Sequence, residues 1–444
     1  MTLIAALPTS PTLTTSTSLQ TGQGDYPIAR LSVSFDADLT APPVWTDITT
    51  YVRRVDYQRG RQWELDQFQT GTLSAVLSNN DGRFAPDFSS SPYAGFLTPL
   101  RRVKLVAEWD GGTYPLWGGF VETWEPSTNA NGRDNVTTLK ASDAFKAARY
   151  IDRNETYPVA LASNRIATAL SGLNGIETNI TGASSATVKE DTFTNSDPVG
   201  IAQTAAAAEQ GFLYCDADGK IRFDNRQYRL VNELVPRVVF GDVPEEVPYQ
   251  DAVYSYNDER LYTEVTVKPD DGAEQGTLDA YAIAQYGRRT LSLSLPVVNS
   301  TLDPTPDTTW SLALSAYLLG KLKSPGIRLE EFTFYPAYAP EHWDESLSIP
   351  LGGRLLVRQR PLYARAAGAA SVTSTSRVTS VSSTTSTGGI LENQVFVERI
   401  SMTITPAGGA WTMKFGLSDA TADAYWVLGN ETNSILGDTT RLAI

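Results

Sequence analysis

Several stretches of this chain alternate apolar and polar residues with a period of two, at residues 31–35, 103–109, 400–404 and 411–417. Successive side chains of a β-strand point to opposite faces, so the pattern places one face on a core and the other in water. Residues 110–112 (DGG) follow one of these runs and suit a tight hairpin turn, because glycine tolerates a positive φ. The pattern therefore predicts antiparallel strands near both ends of the chain.

The middle of the chain changes to the period of a helix. Asp197 and Pro198 predict a helix start, because Asp suits the N-cap and Pro suits the first helical position. Gly211 predicts the end of this helix at a C-cap position, and residues 212–215 and 221–223 are typical of a hairpin. Further helices are expected at 164–173 and 308–323.

These patterns indicate a chain of several units. We expect a flexible N-terminal arm at 1–27, a barrel or sandwich of about five to seven strands at 28–150, an α/β domain at 151–245, a connecting domain of strands and helices at 246–340, and a second β domain at 341–444. Residues 364–389 are rich in Ser and Thr and cannot bury enough apolar surface to offset their ordering entropy, so we expect a mobile loop or a long, thin hairpin there.

Composition and charge argue against several classes of protein. The chain has 444 residues, enough for roughly three domains. Its net charge of −14 argues against general nucleic-acid binding, which needs a basic surface. A single cysteine, Cys215, allows neither an internal disulfide nor a Cys-based zinc site. The apolar stretches fall far short of the roughly 20 residues of a membrane helix, and we expect no signal peptide.

The densest basic cluster is interpreted as solvated strand faces or interface residues: Arg53, Arg54, Arg59, Arg61, Arg101, Arg102 and Lys104.

Few residues are suited to catalysis. His342 is the single histidine, so a histidine-rich metal site is impossible and any Ser-His or Cys-His mechanism would need this residue as its base. Asp216, Asp218 and Gly219 resemble the opening of a calcium loop, but Gln227 stands where such a loop needs Glu, which favours a β-turn. Paired carboxylates of a glycosidase stay open, because the fold sets their spacing. We expect that the protein is not an enzyme, that it uses no cofactor, and that it has no catalytic, cofactor-binding or metal-binding residues.

Short motifs spread over most of residues 28–444 are more specific than composition. The first set is WTDIT at 45–49, YV at 51–52, RGRQ at 59–62, ELDQF at 64–68, GTL at 71–73, LSNNDGRF at 77–84 and SPY at 91–93. The last set is VERI at 397–400, ITP at 404–406, Trp411, FGLS at 415–418, WVLG at 426–429, ILG at 435–437 and TRL at 440–442. Between them stand QGFLY at 210–214, DG at 218–219, Phe223 and QYGRR at 285–289. Together they resemble the tail hub, or minor tail, proteins at the tail tip of long, non-contractile-tailed phages of actinobacteria.

This resemblance implies a mainly β fold with α/β insertions, in which two related β-barrel-like domains are joined by a small α/β unit and helices. It implies a structural protein that forms a trimeric ring, since three chains with two barrels each match a sixfold tail tube. The implied partners are the other copies of a homotrimer, the distal tail protein ring, the C-terminus of the tape-measure protein, and a central fibre or receptor-binding proteins. The implied location is the virion tail tip, after synthesis in the host cytoplasm.

A central channel of such a ring would carry exiting DNA without specific binding. We expect acidic residues to face it and repel the DNA, over a screening length of roughly 8 Å. Two alternatives stay open. One is a hexameric ring of the distal tail protein type, against which two barrel-like halves in one chain argue. The other is a carbohydrate-binding or depolymerising module, in which Trp109, Trp117 and Trp124 would stack on sugars, although alternation favours the core or rim for them.

Overall fold

The alternating segments form strands of one large sheet. The computed structural model describes residues 26–35, 38–128, 132–182, 184, 186–233, 235–270, 273–295, 297–298, 309–360, 385–387, 390–406 and 409–420. Within these residues the large sheet has 15 strands, and they fall into two groups.

The first group holds the seven strands nearest the N-terminus: β1 (Ile28–Val33), β2 (Thr46–Asp47), β3 (Val52–Gly60), β4 (Gln69–Ser78), β5 (Arg102–Trp109), β6 (Gly112–Thr128) and β7 (Asn135–Ser142). Their order in the sheet is β2-β1-β5-β6-β7-β4-β3, and all neighbours are antiparallel. The apolar residues of these strands that face the core are buried, among them Leu31, Leu105 and Leu139. The predicted turn after β5 is confirmed, since Asp110 and Gly111 have φ values of 45° and 76°.

A region of short helices and strands follows: α1 (Ala144–Ala148), β8 (Arg153–Tyr157), β9 (Ala160–Leu161), α2 (Ala162–Ala169), β10 (Thr178–Thr181), β11 (Thr187–Val188), β12 (Asp191–Ser196), α3 (Pro198–Glu209), β13 (Phe212–Cys215), β14 (Ile221–Asp224) and α4 (Tyr228–Asn232). The order β10-β14-β13 forms a small sheet, while β8 pairs with β12 and β9 with β11. The helix expected at 164–173 is α2, which begins and ends a few residues earlier than predicted.

The start of α3 is the one that the sequence predicts, and its end differs. Asp197 is the N-cap, and its Oδ1 accepts a hydrogen bond of 2.7 Å from Gly200 N. The left-handed residue at the end is Gln210, with a φ of 55°, rather than Gly211. Gly211 meets a different requirement, because a Cβ there would lie 2.6 Å from the ring of Phe223. The glycine therefore lets the chain pass close to the hairpin instead of capping the helix.

The rest of the chain supplies the second group and an insert: β15 (Val238–Gly241), β16 (Val247–Pro248), β17 (Asp251–Ser255), β18 (Glu264–Pro269), β19 (Gln275–Leu278), α5 (Ala280–Tyr286), β20 (Thr290–Leu295), α6 (Thr309–Leu322), β21 (Arg328–Phe334), α7 (Trp343–Leu347), β22 (Arg354–Gln359), β23 (Thr385–Thr387), β24 (Ile390–Thr405) and β25 (Ala410–Asp419). Short 3₁₀ helices span Thr49–Tyr51, Pro336–Tyr338 and Pro340–His342. The helix predicted at 308–323 is α6.

The second group repeats the strand order of the first. It runs β16-β15-β22-β24-β25-β21-β17, with β23 as an extra strand on β24. If the seven strands of each group are counted along the chain, both groups have the order second, first, fifth, sixth, seventh, fourth, third. One difference is the direction of the first strand, since β15 is parallel to β16 and β22 whereas β1 is antiparallel to β2 and β5. The chain therefore contains the same strand connectivity twice.

An insert separates β17 from β21. Its sheet has the order β19-β18-β20, and α6 packs on it through Leu314 and Leu318 against Val265 and Val267. The chain leaves the large sheet after Ser255 and returns at Arg328, and these two residues pair directly.

The two groups join through β24. Its first part pairs with β22, and beyond a bulge between Val397 and Arg399 it pairs with β3, from Arg399 opposite Gly60 to Ile404 opposite Val55. β24 also pairs with β25 over most of its length. It therefore pairs with strands of the second group, to which it belongs, and with β3 of the first group.

The mainly β fold with α/β insertions is confirmed. The domain limits stay a prediction, and the strand pairing adds that the second group draws on residues 238–334, which the predicted limits assign to two other units. The arm at 1–27 lies almost wholly outside the described residues, as do the motifs at 426–442 and all of 364–389 except β23.

Candidate functional site

The two groups of strands meet at a buried carboxylate. Glu398 lies at the bulge of β24, and its side chain has no exposed surface. Arg61, directly after β3, donates from Nε to Oε2 at 2.6 Å, and Arg229 of α4 donates from Nη1 to Oε1 at 2.6 Å. The Ser418 hydroxyl of β25 donates to Oε1 at 2.7 Å. One carboxylate thus connects the first group, the α/β region and the second group.

The charges of this cluster depend on one another. Burial acts to raise the pKa of Glu398, but Arg229 and Arg61 outweigh it and hold that pKa well below its usual range. Burial also lowers the pKa of Arg61, which the Glu398 carboxylate opposes. Removing one partner of a buried ion pair typically costs about 3–5 kcal/mol, because the other charge stays buried and uncompensated. The contribution of this cluster to the contact between the two groups therefore depends on all three charges.

Aromatic rings enclose the two guanidinium groups. The Arg229 guanidinium carbon lies 3.7 Å from the ring centroid of Phe212 and 5.0 Å from that of Phe396. The Arg61 guanidinium carbon lies 4.6 Å from the centroid of Phe68 and 5.1 Å from that of Phe212. Cation–π contacts of this kind are worth more when water is excluded. Phe212, which sequence analysis places only in a hairpin strand, contacts both cations.

A glycine lets the strands approach at this point. Gly60 has a φ of +117°, and a Cβ on it would lie 2.2 Å from the carbonyl oxygen of Glu398. Any other residue would have both an unfavourable backbone conformation and a clash with β24. The RGRQ motif at 59–62 therefore combines the residue that permits the close contact with the arginine that neutralises the carboxylate.

The basic cluster seen in the sequence does not form one surface. The interpretation as solvated strand faces is wrong for Arg59 and Arg61, which are 7% and 6% exposed. Arg53 and Arg54 lie on the solvent side of β3 and pair with carboxylates, Arg53 with Asp134 at 2.5 Å and Arg54 with its neighbour Asp56 at 2.7 Å. Arg102 instead donates to backbone carbonyl groups. The cluster is thus divided between the core and local ion pairs.

The candidate catalytic residues lie apart from one another. His342 is on a 3₁₀ turn, with Nδ1 3.0 Å from the carboxylate of Glu345. Cys215 is buried in β13, where burial raises its pKa well above the usual value. Asp216 Oδ1 accepts hydrogen bonds from the backbone N of Asp218 and of Lys220, which confirms the predicted turn. In the part of the chain that the structure describes, no group of His, Cys, Asp or Glu side chains could hold a metal ion.

The tryptophans named for sugar stacking are inside the first group. Trp117 and Trp124 are 1% and 7% exposed, and Trp109 is half-buried against Trp343, with ring centroids 6.1 Å apart. The interpretation that they fill the core or its rim is confirmed.

Within the described ranges, no helix is both long and apolar enough to pass through a membrane. Comparison with known proteins gives matches by fold only, since neither a protein-family model nor a curated protein sequence matches this chain. The tail protein from Neisseria meningitidis MC58 matches with a TM-score of 0.51 at 10% identity, over 89% of this chain and 98% of that chain.

Two prophage proteins show a weaker likeness. The 43 kDa tail protein of prophage MuSo2 from Shewanella oneidensis has a TM-score of 0.49 at 12% identity, over 90% of this chain and 98% of that one. The prophage tail protein gp18 from Listeria monocytogenes EGD-e has a TM-score of 0.45 at 8% identity, over 87% and 94% of the two chains. The Neisseria match extends over nearly the full length of both proteins, so the resemblance seen in the sequence is confirmed at the level of the fold. The chain therefore shares the fold of this tail protein.

Proposed function

We propose that this chain is a structural protein of a phage tail tip, namely the tail hub of a long, non-contractile-tailed phage. Three copies form a ring that caps the sixfold tail tube, carries the central tip or fibre, and leaves a channel for DNA exit. The observation that carries the proposal is the repeated strand order, in which two groups of seven strands have the same connectivity within one chain.

The repeat supplies a physical reason for the symmetry. Each chain brings two similar β-barrel-like groups, so a ring of three chains presents six of them to a tube with six subunits in each layer. The groups differ in the direction of their first strand, so the six contacts would be similar rather than identical. A hexameric ring of the distal tail protein type needs only one such group per chain, because six chains already match the six subunits of the tube. The second group in this chain therefore favours the trimer.

The partners follow from this position. We propose that the ring contacts the distal tail protein ring on one side, a central fibre or receptor-binding proteins on the other, and the C-terminus of the tape-measure protein inside. The chain would be made in the host cytoplasm and then incorporated at the tail tip of the virion. With a net charge of −14 on each copy, DNA would pass the lumen without specific binding.

The proposed role is structural rather than enzymatic. The buried charges at the junction of the two groups are used to hold Glu398, and the histidine and cysteine lie in separate places. Among the described residues, no arrangement favours the carbohydrate-binding alternative, since Trp117 and Trp124 are buried and Trp109 is half-buried against Trp343.

The native mass of the purified full chain, alone and with isolated tail tubes, tests this proposal. We expect a particle of about three times the 48.3 kDa of one chain, and threefold density at the end of each capped tube in electron micrographs. A sixfold particle would contradict the hub and favour the distal tail protein alternative. A monomer that fails to bind tail tubes would contradict both.

A further inference from the structure

A cavity lies beside the Glu398 cluster, where four parts of the chain meet. Its volume is about 130 Å³, enough for several water molecules or one amino-acid side chain. The walls come from the segment after β3, from the α/β region, from α6 of the insert and from β24 of the second group. Apolar side chains form much of the lining, among them Phe68, Phe212 and Leu318.

Among the residues that the structure describes, the cavity has more cations than anions. Arg226 lines it half-buried and has no hydrogen bond or ion pair in this part of the chain. Arg61 and Arg229 both pair with the carboxylate of Glu398, while Lys321 pairs with Glu64 at 3.3 Å. With Asp66 at the rim counted, these described side chains have one more positive charge than negative charges. This excess stands in a chain whose net charge is −14.

Arg61 also lacks one hydrogen-bond acceptor. Its Nε donates to Glu398 and its Nη1 donates to the backbone oxygen of Asp66, but its buried Nη2 has no hydrogen-bond acceptor among the described residues. A buried donor without an acceptor carries a free-energy cost, so native structures rarely keep one without a function or an occupant. Two guanidinium groups at this cavity, Arg61 and Arg226, therefore have unused donors.

We propose that this cavity binds an aliphatic carboxylate, either a small free acid or the glutamate side chain of a protein segment. A carboxylate matches the single excess charge and the planar fork of a guanidinium, whereas a phosphate dianion would leave the cavity with net negative charge. The apolar walls suit the methylene groups of such a ligand. A carboxylate here would contact all four parts at once, so binding would favour one arrangement of the two groups of strands.

Calorimetric titration of the full chain tests the site with defined probes. The probes are butyrate, inorganic phosphate, the peptide acetyl-AAEAA-amide and its Gln counterpart acetyl-AAQAA-amide. Butyrate and the Glu peptide each carry one carboxylate on a short aliphatic chain. We expect saturable one-site binding of butyrate or the Glu peptide that weakens with salt, and no binding of the Gln peptide. Tighter binding of the peptide would assign the ligand to a protein segment, and tighter binding of butyrate would assign it to a free acid.

Arg226→Gln is the matched variant, because Arg226 has no hydrogen bond or ion pair among the described residues that its loss would break. We expect about a tenfold loss of affinity with an unchanged unfolding midpoint, since a charge-assisted hydrogen bond is lost. Arg54→Gln, on the solvent side of β3, should keep wild-type affinity. The proposal is overturned if neither carboxylate probe binds, if phosphate binds as tightly, or if Arg226→Gln binds like wild type. Because ring formation is measured separately by native mass, either proposal can fail without the other.

Discussion

Arg61 donates a hydrogen bond of 2.6 Å to Glu398 although 337 residues separate them along the chain. This contact connects the end of β3 in the first group to the bulge of β24 in the second. The ion pair and the backbone pairing of Arg399 with Gly60 occur at the same point, so side-chain charge and strand register support each other there.

Glu398→Gln should destabilise the protein by about 3–5 kcal/mol, because two buried guanidinium groups would lose their only shared negative charge. Urea unfolding followed by circular dichroism measures the effect. Glu125→Gln is the control, since Glu125 forms a half-exposed pair with Lys140, and it should leave the unfolding midpoint nearly unchanged because solvent screens such a pair. Equal effects of the two substitutions would contradict the role given to the buried cluster.

Gly60→Ala should cost about 3 kcal/mol, the sum of an unfavourable positive φ and a clash with the carbonyl oxygen of Glu398. Gly95→Ala isolates the first contribution, because Gly95 has a φ of +80° but open space around its Cβ position. We expect that control to cost only about 1 kcal/mol in the same unfolding experiment. If both variants lose the same stability, the close approach of β3 and β24 is not the reason for the glycine.

Asp143 should make stability fall as the pH rises towards neutrality. Its carboxylate is buried at the N-cap of α1, where it accepts hydrogen bonds from Gly71 N at 2.5 Å and Phe145 N at 3.0 Å. Burial, which outweighs these bonds, raises the pKa of Asp143 from 3.8 to about 7. Between these values the folded state holds a proton that the unfolded state has lost, so unfolding free energy decreases by up to about 1.4 kcal/mol per pH unit and levels off above pH 7.

Urea unfolding of wild type and Asp143→Asn at several pH values from about 5 to about 8 measures this effect. The variant has no titrating group at this position, so the unfolding free energy of wild type minus that of the variant isolates the effect of Asp143. This difference should fall as the pH rises. Glu398, whose pKa is held low, stays ionised throughout this range and does not contribute to the slope. A difference that is independent of pH would show that Asp143 is ionised in the folded state throughout.

Cys215 should react with thiol reagents only after unfolding. It is 5% exposed, and burial followed by the neighbouring Asp143 carboxylate raises its pKa, so thiolate is scarce in the folded protein. We expect modification by a disulfide reagent to be at least about a hundredfold slower in the folded protein than in urea. A cysteine introduced at Ser127, exposed on β6, is the control and should react in both states. Fast reaction of wild type under native conditions would contradict the burial of β13.

Local structure could be predicted where a few adjacent residues determine it. Asp197 and Pro198 do start α3, and Asp110 and Gly111 do form a turn, because capping and positive φ depend on neighbouring residues. Gly211 shows the limit of this reasoning, since its role comes from the ring of Phe223 rather than from the helix that it follows.

The buried cluster could not be predicted in the same way, although the sequence carries a signal for it. Arg59 and Arg61 continue the buried register of Val55 and Tyr57 along β3, and Glu398 has the same parity as the buried Ile400. Charged residues in an apolar register indicate burial and require partners. Which charge meets which depends on the pairing of β3 with β24, and nothing near either residue in sequence specifies that pairing.

The repeated strand order could not be seen in the sequence for a similar reason. Its second copy is assembled from segments on either side of the insert, and its first strand runs in the opposite direction. No motif recurs between the two groups at a fixed spacing, so only the hydrogen-bonded order makes the repeat visible.

The position of the insert has a consequence for how this chain can change. Because Ser255 and Arg328 pair directly, the insert leaves and rejoins the large sheet at neighbouring positions. A foreign domain with closely spaced termini could be grafted there without shifting the register of either strand. It would have to cover Trp63 and Leu65, which pack on the insert's core, and to replace the contacts of Val188 and Lys189 with the insert. The point where β17 and β21 pair is thus an insertion site. Such a protein could gain a different domain there, and with it new binding partners, while the 15-stranded sheet stays the same.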